Sequence, residues 1–216
     1  MNTTLELQPR LAVLPAQERA HLERRARLLA LGGNAWHVIE FAIAVVAGVA
    51  AGSVALVGFG IDSGIELLAG GVILWLFSGG RGSSYAAERH AQRLIAASYA
   101  LLVVYIVVEA VRDLAGGHHA SVSWVGIGLA AFTAAMMPLL ALAKRRVARR
   151  LRSSAAASEA GQNMICAYLS VALLVGLLAN ALAGWWWADP AAALVIAAVA
   201  ANEGAAAWRG DSCDCC

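Results

Sequence analysis

Two acidic residues in an apolar stretch carry the strongest chemical signal in this sequence. Asp62 and Glu66 are four residues apart, a spacing that stacks both carboxylates on one face of a helix, about 6 Å apart. Like charges this close in a low-dielectric medium repel, so one carboxylate is protonated unless a cation lies between them. The pair therefore favours metal or proton chemistry over the alternative, two protonated acids that bond to neighbouring helices.

A second polar face follows at residues 159–166. Glu159, Gln162 and Cys166 are spaced by three and four residues, so they also share one helix face. A thiolate together with carboxylates suits zinc or a similar borderline cation. Gln162 has an uncharged amide, so either Glu159 replaces it as a ligand or Gln162 supports the ligands from outside. Taken alone, Cys166 would be a small buried apolar residue.

Two further groups of residues have two open interpretations each. His37 and Glu40 are three residues apart on one face, and they form either a proton relay or a buried pair that fixes packing. The C-terminal residues Cys213, Cys215 and Cys216 are interspersed with aspartate. They either capture a soft cation or form a frayed tail with free thiols.

The composition places these polar residues in a membrane. Of the 216 residues 61% are hydrophobic and 14% are charged, whereas soluble domains are about half apolar and a quarter charged. The net charge of +2 gives no sign of a nucleic-acid partner. Six apolar stretches can each cross ~30 Å of hydrocarbon as a helix, and they lie at about 28–50, 54–77, 92–114, 122–143, 156–183 and 190–208.

We therefore predict an all-α integral membrane protein, a bundle of six transmembrane helices. Residues 1–27 form an N-terminal tail, 28–209 the transmembrane domain and 210–216 a Cys-rich tail. Of the 16 lysines and arginines, 15 lie in the tails and in the second-to-third and fourth-to-fifth connections, the last of which begins at Lys144. This asymmetry predicts that both termini are cytoplasmic. The short, Ala-rich chain indicates a bacterial inner membrane.

The rise of a helix sets the depth of each polar residue. At ~1.5 Å per residue from the span ends, Asp62 and Cys166 both lie near the membrane midplane. Glu66 and Gln162 then lie one turn nearer the cytoplasm. The two antiparallel faces should therefore match level by level.

The stretch from Ala51 to Glu66 resembles the second-helix region of the cation diffusion facilitators. In that family, six-helix transporters exchange zinc or related divalent cations for protons. Their site combines a carboxylate pair on the second helix, which Asp62 and Glu66 match, with a His and Asp pair on the fifth, where this chain has Gln162 and Cys166. The resemblance covers residues 28–209. It implies a homodimer and a short form that lacks the C-terminal cytoplasmic domain.

Together these features predict a secondary transporter that exports a divalent cation, zinc, in exchange for protons. Its partners are the lipid bilayer, the metal ion and protons, and no organic cofactor is expected. The alternative is a metal-binding membrane protein that does not transport and serves as a sensor, a scaffold or the partner of an exporter. An enzyme is not predicted, because nothing near Cys166 resembles an oxyanion site.

Overall fold

The computed structural model describes residues 15–77, 85–151 and 154–209, and every regular element in this part of the chain is helical. The six helices are α1 (Ala16–Ala51), α2 (Val54–Phe77), α3 (Tyr85–Gly116), α4 (Trp124–Leu151), α5 (Ser154–Ala183) and α6 (Ala188–Arg209). Each predicted span corresponds to one of them. The all-helical class is thus confirmed for the described residues.

Four helical segments in the described part of the chain are long and apolar enough to cross a membrane. They are Ala16–Ala51, Trp124–Leu151, Glu159–Ala183 and Ala188–Arg209. Large apolar side chains such as Val46, Leu139 and Leu182 point outward from these helices, as a surface in contact with lipid tails requires. The count of six spans and the cytoplasmic termini stay predictions.

Helices α1 and α2 form a tight antiparallel hairpin. Gly52 ends α1 in the left-handed conformation (φ 66°) and donates its N–H to the carbonyls of Gly48 and Val49, a geometry that glycine adopts without steric cost. Further along, a Cβ atom at Gly60 would lie only 3.0 Å from the Cβ of Ala44. Small residues therefore let the two backbones approach closely, as they do in many membrane helix pairs.

Helix α2 occupies the centre of the bundle, since it contacts α1, α3, α5 and α6. Outside it, α4 packs along α5, α3 along α6 and α1 along α4. Each of the six helices contributes to the largest fully buried apolar side chains, which are Leu22, Leu56, Phe59, Ile106, Met137, Leu169, Leu173 and Ile196. The polar residues that the sequence singled out within the described helices belong to α1, α2 and α5, and most of them are buried in this core.

Three helices extend well past their predicted spans, and one of them is α3, which begins at Tyr85 and not near residue 92. Helix α1 begins at Ala16, directly after Pro15, so residues 16–27 of the predicted N-terminal tail are helical and continue into the first span without a break. Helix α4 extends to Leu151, which makes the fourth-to-fifth connection far shorter than predicted. Lys144 was expected in that connection, but it lies on α4 with only 6% of its surface exposed.

Candidate metal centre

Glu40 is a buried acid whose two oxygens both accept hydrogen bonds. Its Oε2 accepts a hydrogen bond from Ser63 Oγ at 3.0 Å, and its Oε1 accepts one from Thr133 Oγ1. The ring Nδ1 of His37 lies 3.3 Å from the same Oε2. Because hydroxyl groups from α2 and α4 satisfy both oxygens, this fully buried carboxylate holds three helices together.

A second carboxylate, Glu66, reaches the same histidine from α2. Its Oε2 lies 3.3 Å from His37 Nδ1. One ligand atom each from His37, Glu66 and Cys166 lies within 4.8 Å of the other two, and all three residues are buried. Nitrogen, oxygen and sulfur donors from α1, α2 and α5 therefore converge on one point, and this donor set is the one that borderline divalent cations prefer.

The Oε2 atom of Glu66 is buried and has no hydrogen-bond partner among the described residues. His37 Nδ1 lies 3.3 Å from this oxygen and 3.3 Å from Glu40 Oε2, so Glu66 Oε2 has a close neighbour but no hydrogen bond. Buried polar atoms without a partner cost roughly 1–3 kcal/mol, so such an atom calls for an explanation. A cation bound between Glu66, His37 and Cys166 would supply the missing partner.

The α2 carboxylate that joins Cys166 in the cluster is one turn away from the one that the sequence predicted. We expected Asp62 at the level of Cys166, but Glu66 is the acid in the cluster. Side chains on a helix tilt toward its N-terminus. Since α2 and α5 run in opposite directions, the tilt moves Glu66 and Cys166 toward each other.

Asp62 and Gln162 face a narrow crevice beside this cluster. The crevice lies between α2, α3, α5 and α6, and its polar lining residues are Asp62, Glu66, Tyr99, Gln162 and Glu203. Asp62 and Glu66 are buried, while Glu203 at the far wall belongs to α6. Glu66 thus borders both the crevice and the histidine–cysteine cluster.

Lys144 forms a third polar group, between α4 and α5. Its Nζ lies 2.7 Å from Glu159 Oε1 and 2.7 Å from Asn163 Oδ1. On the α1 side, a Cβ at Gly33 would lie 2.9 Å from the same Nζ, so glycine leaves the space that the ammonium occupies. Glu159, predicted as a possible metal ligand, therefore has a buried cation as its partner.

The family model described as the cation efflux transmembrane domain matches residues 35–206. The chain belongs to the cation efflux family. No curated protein matches the chain. The matched region contains all the residues of the buried cluster, from His37 to Cys166.

Membership of the cation efflux family makes this protein a metal cation transporter, embedded in a membrane with several helices. The family consists of transporters and not of enzymes, which agrees with the prediction from sequence. The metal ion is therefore cargo and not a resident cofactor. Zinc, proton exchange, a homodimer and a bacterial inner membrane stay predictions.

The structure brings together only part of the predicted site in this cation efflux protein. Glu66 and Cys166 meet, and His37 joins them, although the roles predicted for His37 were a proton relay with Glu40 or a packing pair with it. Asp62 and Gln162 line the adjoining crevice. The predicted tail ligands Cys213, Cys215 and Cys216 lie outside the described residues.

The sequence analysis missed Lys144 and Thr133. The buried residues of α4 include Thr133, Met137, Ala141, Lys144 and Ala148, which recur every three or four residues and so share one helix face. This period continues past the end of the predicted span. It was the one available sign that Lys144 faces the protein interior.

Proposed function

We propose that this protein exports a divalent cation, zinc, from the cytoplasm in exchange for protons, and that the cation binds among His37, Glu66 and Cys166. The observation that carries the proposal is the convergence of three buried ligand atoms within 4.8 Å of one another. The free Oε2 of Glu66 supports it, because this oxygen has no hydrogen-bond partner among the described residues.

The donor set favours zinc over magnesium or calcium. Hard cations prefer sites made wholly of oxygen atoms, whereas a histidine nitrogen and a cysteine sulfur suit zinc and its neighbours in the transition series. Three protein ligands leave a fourth tetrahedral position. Asp62, which lines the crevice that reaches Glu66, is the residue we propose to fill that position or to pass the cation to it.

Proton exchange follows from the chemistry of the ligands. Zinc binds the thiolate of cysteine and the carboxylate of glutamate, so protons and metal compete for Cys166 and Glu66. When the site faces a more acidic exterior, protons displace the cation. When it faces the cytoplasm, the cation displaces the protons, and the alternation exports metal.

The crevice supports a route between helices that can move relative to one another. It is lined by residues of α2, α3, α5 and α6, and α3 packs chiefly against α6. We propose that α3 and α6 shift against the other helices, so that Asp62 and Glu66 become accessible from each side in turn. Secondary transporters commonly expose a site at the membrane midplane by such rigid-body motion.

The test is zinc uptake into proteoliposomes that contain a trapped zinc indicator. Wild type should take up zinc, and both Glu66→Gln and Asp62→Ala should lose this uptake. Glu109→Gln is the matched control, because Glu109 pairs with exposed Arg112 near the end of α3 and lies outside the proposed route. Normal uptake by Glu66→Gln would overturn the proposal.

A parallel measurement separates transport from binding alone. Calorimetry on the detergent-solubilised protein should show zinc binding that Glu66→Gln weakens, while Glu109→Gln leaves it unchanged. If wild type binds zinc but moves neither zinc, cadmium, cobalt nor manganese, transport of these ions is refuted. A variant with Cys213, Cys215 and Cys216 all changed to serine should retain uptake, since the proposed route does not use them.

A further inference from the structure

The orientation of the Asn163 side-chain amide is set by Lys144. The lysine ammonium has three hydrogens to donate and no lone pair with which to accept. Its Nζ lies 2.7 Å from Asn163 Oδ1, so the amide oxygen must face Lys144. The NH₂ group of Asn163 consequently points the other way, toward Met137 Sδ at 3.4 Å and His37.

The amide orientation in turn determines which ring nitrogen of His37 carries hydrogen. Asn163 Nδ2 lies 3.3 Å from His37 Nε2. Because an NH₂ group only donates, Nε2 must accept, and the ring hydrogen must be on Nδ1. That hydrogen then points at the two carboxylates 3.3 Å away, those of Glu40 and Glu66.

Metal binding needs the opposite arrangement. Nδ1 is the nitrogen that faces Glu66, so a cation held between Glu66 and His37 requires a lone pair on Nδ1. The hydrogen lost from Nδ1 must be matched by one gained at Nε2, and the ring keeps one hydrogen in both states. The new N–H at Nε2 would then meet the NH₂ group of Asn163, which is a clash of two donors.

We propose that Lys144 is a positioning residue, which acts through Asn163 to hold His37 in the tautomer of the metal-free site. Loading the site then requires the amide to rotate by about half a turn, so that Oδ1 accepts from Nε2. The rotation takes Oδ1 away from Lys144 and leaves the lysine bonded to Glu159 alone. Metal occupancy is thereby coupled to a contact between α4 and α5. The inference rests on the proposed function, because it assumes a cation at His37.

Asn163→Asp is the sharpest variant for a test, because it changes one group and keeps the shape of the side chain. A carboxylate accepts from Lys144 and from His37 Nε2 at the same time. The ring hydrogen should therefore move to Nε2 even without metal, and Nδ1 should be free for the cation. Carboxylates that orient a ligating histidine in this way commonly change metal affinity by ~10–100-fold, so we expect zinc to bind about tenfold more tightly.

The readout is ¹⁵N NMR of the histidine rings in the metal-free protein, in which His37 is assigned by its absence from His37→Gln. Wild type should show hydrogen on Nδ1, and Asn163→Asp should show it on Nε2. Asn180→Asp is the matched control, because Asn180 lies on the same helix and donates to the carbonyl of Ala120 at 2.9 Å. This control should leave both the tautomer and zinc affinity unchanged.

A second variant removes the donor itself. In Lys144→Met combined with Glu159→Gln, no ammonium fixes the amide and no unpaired charge is buried, so both tautomers should appear and zinc should bind more tightly than in wild type. A residue with a merely structural role would weaken zinc binding when removed and leave the ring hydrogen on Nδ1.

Hydrogen on Nε2 in metal-free wild type, or an unchanged tautomer in folded Asn163→Asp, would overturn the inference. If the tautomers are as expected but wild type binds no zinc, the proposed function fails and the positioning by Lys144 stands.

Discussion

The hydroxyl of Ser53, just before α2, lies 2.5 Å from Oδ1 of Asp189, at the start of α6. The other oxygen of the Asp189 carboxylate accepts the backbone N–H of Ala55 at 3.3 Å. Ser53 also caps its own helix, because its Oγ accepts the N–H of Leu56. One buried acid thus joins the start of the second helix to the start of the last.

Loss of this acid should destabilise the bundle and leave metal binding intact. Asp189→Ala removes the acceptor for both Ser53 and Ala55 and leaves two donors without a partner, at a cost of roughly 1–3 kcal/mol. Asp189→Asn, which keeps one acceptor oxygen, should cost less. Thermal unfolding in detergent measures the difference, and an unchanged melting temperature in Asp189→Ala would contradict the structural role.

Glu40 and Glu66 should respond differently to the same substitution. The oxygens of Glu40 are satisfied by Ser63 and Thr133, so Glu40→Gln mainly disturbs a packing contact and should weaken zinc binding only slightly. Glu66→Gln removes a proposed ligand charge and should weaken binding by tenfold or more, about 1.4 kcal/mol. Calorimetry of the two variants side by side decides the matter, and equal losses would mean that Glu40 is also a ligand.

Cobalt provides a direct test for the sulfur ligand. If Cys166 coordinates the cation, Co²⁺ added to the wild-type protein should produce a near-ultraviolet charge-transfer absorption from thiolate to metal. Cys166→Ser should abolish that band. The tail variant with serine at positions 213, 215 and 216 should retain it. A band that survives in Cys166→Ser but disappears in the tail variant would place the metal in the tail.

Zinc affinity should fall as the pH is lowered, because protons compete with the cation for the ligands. A cysteine ligand releases its proton when zinc binds, so affinity rises with pH over the range in which the thiol is protonated. In Cys166→Ser, the plot of log affinity against pH should become less steep by up to about one per pH unit. Titrations at several pH values measure the slope, and an identical slope in both proteins would exclude Cys166 as the source of the proton.

The helices could be predicted from sequence because apolar length alone specifies them. A stretch of about 20 apolar residues crosses a membrane only as a helix, and each predicted stretch corresponds to one helix of the structure. Asp62, Glu66 and Cys166 could be chosen for the same reason, since a polar residue in such a stretch needs a function or a partner. Helices α1, α3 and α4 extend past the predicted apolar stretches, because a helix can continue beyond the part of it that crosses the hydrocarbon.

The composition of the cluster could not be predicted in the same way. Spacing within a helix shows which residues share a face, but it does not show which helix that face meets. His37 joins Glu66 and Cys166 because α1 packs along α2 and places the ring beside them. Lys144 was counted as a loop residue because topology rules treat basic residues as flanks of the spans, and its partners on α5 became evident only in the fold.

The most direct test of the central claim is zinc-dependent proton movement in proteoliposomes with a trapped pH dye. Wild type and Glu109→Gln should show a pH change when zinc is added, because protons move in the direction opposite to the zinc. Glu66→Gln should show none. The same pH change in Glu66→Gln as in wild type would contradict exchange at the buried site.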